Sequence, residues 1–135
     1  MNNFFVKFQI LLLLIFINNN NVKGQSVTND SIIESQICNH NWKLNKKVRN
    51  SYNLPIKSDG LKNELIFFKD KKMISISHGE IDKGKWDYDN KENIINMNLE
   101  SGLFLKAKII TLSNEFLIIN FNLSNDNYEI TLIPQ

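Results

Sequence analysis

The stretch Gly84-Lys85-Trp86-Asp87-Tyr88-Asp89-Asn90-Lys91-Glu92-Asn93-Ile94-Ile95-Asn96-Met97-Asn98-Leu99 decides the fold. Trp86 and Tyr88 alternate with Lys85, Asp87 and Asp89, which is the period-two pattern of a strand with one face in the core and one in water. Asp89 to Asn93 is turn chemistry. Beyond it Ile95, Met97 and Leu99 take one face, and Asn96 and Asn98 take the other. Two alternating runs joined by a short polar turn read as a β-hairpin.

Working outward, the same pattern recurs on both sides. Upstream, Glu64–Phe68 is apolar, and Met73–His78 sets Ile74, Ile76 and His78 against Ser75 and Ser77. Downstream, Leu103–Leu112 sets Leu105, Ala107 and Ile109 against Lys106 and Lys108. Phe116–Leu123 places Leu117, Ile119 and Phe121 together, and Tyr128–Ile133 does so for Tyr128, Ile130 and Leu132. With an extended segment at Trp42-Lys43-Leu44, this predicts about eight short strands at the spacing of an all-β sandwich or barrel. No segment between them is long enough for a helical crossover, so the strands must be antiparallel neighbours in a meander. A flat meander would leave two open edges and an uncovered apolar face. Closing the sheet removes both, so the expected fold is an all-β, up-and-down antiparallel β-barrel.

Two further elements are expected. Ser31-Ile32-Ile33-Glu34 has the spacing of a capping box, with Ser31 as N-cap, so a short N-terminal helix is predicted over roughly residues 32–38, plugging or flanking one end of the barrel. Residues 45–63 are polar and contain Pro55 and Gly60. They read as the longest loop of the chain.

Residues 1–24 read as a secretory signal peptide. Lys7 gives a weak basic region, Phe8–Ile17 is apolar, and Val22-Lys23-Gly24 offers a cleavage site before Gln25. A helix over that apolar stretch spans roughly 15 Å, about half of a ~30 Å bilayer core, too short for an anchor. The expected product is one domain over residues 25–135, secreted or periplasmic, with no membrane span once the leader is removed.

The full chain of 135 residues carries 16 Lys and Arg against 14 Asp and Glu. Loss of Lys7 and Lys23 with the leader leaves equal numbers of each sign. A neutral domain has no electrostatic case for nucleic acid as a partner. Cys38 is the single cysteine, so no internal disulfide forms, and a small buried side chain is its expected role.

Catalytic signals are weak. Cys38, His40 and His78 would offer three metal ligands, but no Cys-x-x-Cys or His-Glu-x-x-His spacing brings such groups together. There is no Gly-x-Ser-x-Gly. The carboxylates Asp87 and Asp89 lie opposite Trp86 and Tyr88 and so face water, whereas an acid–base pair needs one carboxyl buried. Glu80 and Asp82 form a second such pair with no further context. The expectation is a non-enzyme without metal or cofactor.

The order of features is familiar: leader, short helix, Trp42, long loop, then a meander containing Gly84-Lys85-Trp86-Asp87-Tyr88 and the segment Ile109-Ile110-Thr111-Leu112-Ser113-Asn114-Glu115-Phe116-Leu117-Ile118-Ile119. In this pattern the mature chain resembles the small lipocalin-like proteins secreted by Bacteroidetes bacteria, in which a Gly-x-Trp segment and an Ile-x-x-Leu-Ser-x-x-x-Leu hairpin recur. His40 stands where the glycine that opens many lipocalin barrels would be, ahead of Asn41-Trp42. The resemblance implies a barrel that takes a small apolar or amphipathic ligand, or serves in the cell envelope.

An eight-stranded barrel is either just filled by side chains or holds one small ligand. The inward residues expected to meet such a ligand are Phe67, Ile76, Trp86, Tyr88, Met97, Leu105, Phe121 and Tyr128, alongside Ile109, Ile119 and Ile130. The alternative is a barrel with a solid interior, acting as a protein-interaction or inhibitor module through the 45–63 loop and strand rims. A cavity of roughly 300 Å3 or more would favour the ligand binder, and an exposed apolar patch on the loops the interaction module. Nothing in the sequence sets the oligomeric state.

Overall fold

A computed structural model describes residues 28–135. The signal peptide read at residues 1–24 lies outside the described residues.

Helix α1 (Asn29–Cys38) opens the described chain. Its N-cap is Thr28, whose extended backbone and side-chain oxygen receive the N–H of Ser31. The expected cap at Ser31 is therefore corrected: Ser31 lies within the first turn and its hydroxyl donates back to the Thr28 carbonyl at 2.8 Å. Both residues are hydroxyl caps by chemistry, and the earlier one gains an additional turn of helix. Glu34 does not close a capping box but pairs with Lys71.

Nine strands follow: β1 (Asn41–Arg49), β2 (Tyr52–Leu54), β3 (Glu64–Phe67), β4 (Lys72–Ser77), β5 (Glu80–Asp89), β6 (Ile94–Leu99), β7 (Phe104–Leu112), β8 (Leu117–Leu123) and β9 (Asp126–Pro134). From β3 to β9 each is antiparallel to the next, and β1 pairs with both β3 and β9. That last pairing closes an eight-strand barrel, as the alternation predicts. β2 is an extra ribbon on the end of β1, joined through Asn50-Ser51. Both turn residues have positive φ, 47° and 71°, the signature of a tight primed hairpin turn.

The loop expected at 45–63 is thus half strand. β1 continues to Arg49, and only residues 55–63 are irregular. The alternation there is hidden by a β-bulge: Leu44 pairs with Leu132 and Lys46 with Thr131, so Asn45 is the extra residue. A bulge shifts side-chain parity by one. Before it, Trp42 and Leu44 face inward. After it, Lys47, opposite the inward Ile130, faces inward and Val48 faces out.

A second bulge at Ile110 restores an apolar interior at Leu112, opposite Leu117. The turn between β4 and β5 is His78-Gly79, with φ of 50° and 80°. His78 is therefore an exposed turn residue and not the last inward position of a strand.

One end of the barrel is closed. Ile37 of α1 is buried against it, and the Trp42 indole N–H donates to the Ile37 carbonyl at 2.8 Å. Phe67, Trp86, Ile95 and Leu117 are buried in the same core cluster as Ile37 and Trp42. Lys71 clamps the helix from outside, pairing with Glu34 and, at 3.6 Å, with Asp87, while its ammonium lies 4.5 Å from the Trp86 ring.

Candidate functional site

The interior beneath α1 is filled by buried side chains, and its opposite end is not. There a cavity of about 260 Å3 opens between the strands. Its floor is Met73 and Met97, and its walls include Leu44, Leu65, Leu105, Ile119, Phe121 and Ile130. Leu103 and Leu123 stand at its mouth, with the hydroxyl residues Ser75 and Ser77 on one side. The volume lies just below the ~300–1,000 Å3 typical of small-molecule pockets, and the lining is that of such a pocket: mostly apolar with a few polar groups.

Period-two alternation explains which side chains line it. In β6, β7 and β8 the inward positions are apolar without exception from Met97 through Phe121. In β4 they are Met73, Ser75 and Ser77, because Met73 pairs with the inward Phe67 and Ser75 with the inward Leu65.

The register moves one expected binding residue to the edge of the cavity. Ile76 pairs with Glu64 and Ile81 and so belongs by register to the outer face of β4, yet like Glu64 it borders the cavity. Both faces of β4 are half-buried, and the more apolar one is the outer.

The other expected residues divide by depth. Met97, Leu105 and Phe121 line the cavity. Tyr128 stacks on Phe121 at 5.6 Å between ring centroids, just above them toward the mouth. Phe67, Trp86 and Tyr88 face inward as expected but belong to the closed end and do not line the cavity. Phe67 meets Trp86 edge-on at 5.4 Å.

Their polar atoms are satisfied within the protein. The Trp86 N–H donates to the Phe68 carbonyl at 2.9 Å, and the Tyr88 hydroxyl donates to Asn93 Oδ1 at 3.0 Å. A buried indole or phenol needs a partner, and here the backbone and Asn93 supply it in place of a ligand. Burial, aided by the nearby charges of Asp30 and Asp89, raises the Tyr88 pKa, so the phenol stays protonated.

Lys47 is the residue that the sequence reading did not place in the site. It lines the cavity with its ammonium 5.3 Å from the centroid of the Tyr128 ring. The signal that could have found it is the pair Lys46-Lys47: either register of the strand beyond Leu44 turns one of the two lysines inward.

Glu64 also borders the cavity, yet by register its carboxylate is on the outer face. It is only 5% exposed and accepts from the Gln135 side-chain amide at 2.7 Å, with Lys62 at 3.9 Å.

Elsewhere, Cys38, the last residue of α1, lies near Trp86, and burial raises its thiol pKa against the opposing pull of Lys71. Among the described residues, no group of three or more His, Cys, Asp or Glu side chains converges as a metal site would need.

Comparison with protein-family models, with curated proteins and with solved structures finds no match to this chain.

Proposed function

We propose that this chain is a secreted or periplasmic lipocalin-like protein that carries a small apolar or amphipathic ligand in the open end of its barrel and performs no catalysis. The observation that supports this reading is the apolar lining of the cavity above the Met73–Met97 floor, whose volume of about 260 Å3 falls a little under the ~300 Å3 expected of a ligand site. An interior needed only for stability would be filled by side chains, because each buried void forfeits packing contacts. Catalytic machinery has no counterpart at the cavity: its polar residues are two serines, one lysine and groups at the loop edge, with neither an adjacent nucleophile–base pair nor a carboxylate pair.

The test is titration with the apolar fluorophore N-phenylnaphthylamine. Saturable, one-to-one enhancement is expected in the wild type, and its loss is expected in Leu105→Trp, which fills the cavity. Absence of saturable binding in the wild type would refute the carrier reading.

A second reading, a protein-interaction or inhibitor module, is favoured by the exposed apolar rim. Tyr52 is 76% and Ile81 64% exposed, and Leu61 and Leu123 stand near the same end. That reading gains if no fluorophore binds and Tyr52→Ser with Ile81→Ser abolishes capture of a protein partner.

A further inference from the structure

Lys47 reaches the cavity only because of the Asn45 bulge. A regular β1 would carry the alternation Trp42, Leu44, Lys46, Val48, and the apolar Val48 would stand in the wall. The bulge sets Lys47 at the level of Ile130, where a regular strand would set Lys46, and Arg49 at the level of Tyr128, where a regular strand would set Val48. An inward ammonium at this level must keep its hydration or find a partner. Bulges are over-represented beside functional sites because they re-aim side chains.

No carboxylate lies within ion-pair distance of Lys47 among the described residues. The other charged residue of the lining, Glu64, turns outward to Gln135. Glu80 and Asp82 face inward by register on β5 but lie outside the cavity lining, and Asp82 accepts from the Ser101 N–H. Arg49 is the next inward position beyond Lys47 and, like Glu80 and Asp82, lies outside the cavity lining. The Tyr128 ring holds the Lys47 ammonium over its face, between the apolar wall and solvent.

We propose that the cavity selects an amphiphile with an anionic headgroup. The apolar chain lies among Leu44, Leu65, Met97 and Ile119, and the Lys47 ammonium binds the headgroup at the mouth. This deepens the carrier reading and rests on it. The geometry is that of tail-first entry: the apolar walls lie deep, and the unpaired cation lies where the chain would emerge. A volume of about 260 Å3 has room for roughly nine heavy atoms at the ~30 Å3 a water occupies in the liquid. Hence the headgroup of a medium-length chain would reach Lys47 without folding back.

The test compares three ligands of one chain length, octanoate, octanol and octylammonium, by amide NMR titration of the purified protein, followed at Lys47, Leu105 and Ile119. A charge-assisted hydrogen bond is about twice as strong as a neutral one, so octanoate should bind about tenfold more tightly than octanol, with octylammonium weakest. Lys47→Met, which keeps the aliphatic stem, should erase the preference, and Lys47→Arg should retain it. Equal binding of octanoate and octanol to the wild type would overturn this inference and leave the carrier reading standing. Failure of all three, together with failure of N-phenylnaphthylamine, would overturn both. Because the wild-type comparison stands alone, a Lys47 variant that fails to fold does not remove the test.

Discussion

Replacing Gly84 by alanine should destabilise the barrel even though the change adds one methyl group. Gly84 sits in β5 opposite Leu99 of β6. A Cβ built there would lie 2.3 Å from the Asn98 carbonyl oxygen, 2.9 Å from Leu99 Cα and 2.9 Å from Leu99 Cδ2. Two of those atoms are backbone, so relief requires β5 and β6 to separate and give up ladder hydrogen bonds. Overpacking of this kind costs about 1–3 kcal/mol. At about 4–8 °C per kcal/mol for a domain of this size, the melting temperature should fall by roughly 5–20 °C. The assay is thermal unfolding followed by near-ultraviolet circular dichroism, with the outward neighbour Lys85→Ala as a control expected within about 0.5 kcal/mol of wild type. Glycine in a strand interior is otherwise unfavourable, so alanine would stabilise by about 0.5–1 kcal/mol if the space existed. A neutral or raised melting temperature for Gly84→Ala would refute the close approach of the two strands, and with it the tight curvature of the wall at this point.

Trp42→Ala should cost about 3–5 kcal/mol in urea unfolding, because a fully buried indole leaves a cavity. Trp42→Phe should cost about 1–3 kcal/mol by leaving the Ile37 carbonyl without its donor; a near-neutral pair of variants would contradict the plugged end. Tyr88→Phe should lose about 1 kcal/mol through the bond to Asn93, which also ties the β5–β6 turn to the Ile109 carbonyl, and equality with wild type would remove that network from the account. The Cys38 thiol, raised chiefly by burial, should alkylate more slowly at pH 8 than a free cysteine peptide, whereas an equal rate would contradict its desolvation. The sign for stability follows: the folded state favours the protonated thiol, so its contribution is full below the unfolded value near 9.0 and is lost as pH rises through the folded value.

The barrel was legible because most strands present one apolar and one polar face, as Gly84–Leu99 does. Four things were not. Depth along the axis has no signature in a period of two, so Trp86 and Tyr88 read as inward but not as belonging to the closed end. The bulge at Asn45 breaks the count, so a strand rich in Lys and Asn looked like loop, and Lys47 was missed as a lining residue. β4 places serines inside and isoleucines outside, where the outer face is itself half-covered, so hydrophobicity assigned Ile76 to the wrong side. Helix α1 was found but its start was misplaced, because two hydroxyl residues near its beginning can each serve as the cap and local sequence does not rank them.

The pairing of β1 with β9 joins the start of the barrel to its last residues, Trp42 to Pro134. Until the final strand is available, β1 and β8 both present unsatisfied edges, and no partial barrel hides them. Assembly must therefore await β9, and the seam should form late and slowly, as expected where the decisive contacts are distant in sequence. A chain shortened by even one C-terminal strand would then become a sticky open ribbon that pairs with its own copies.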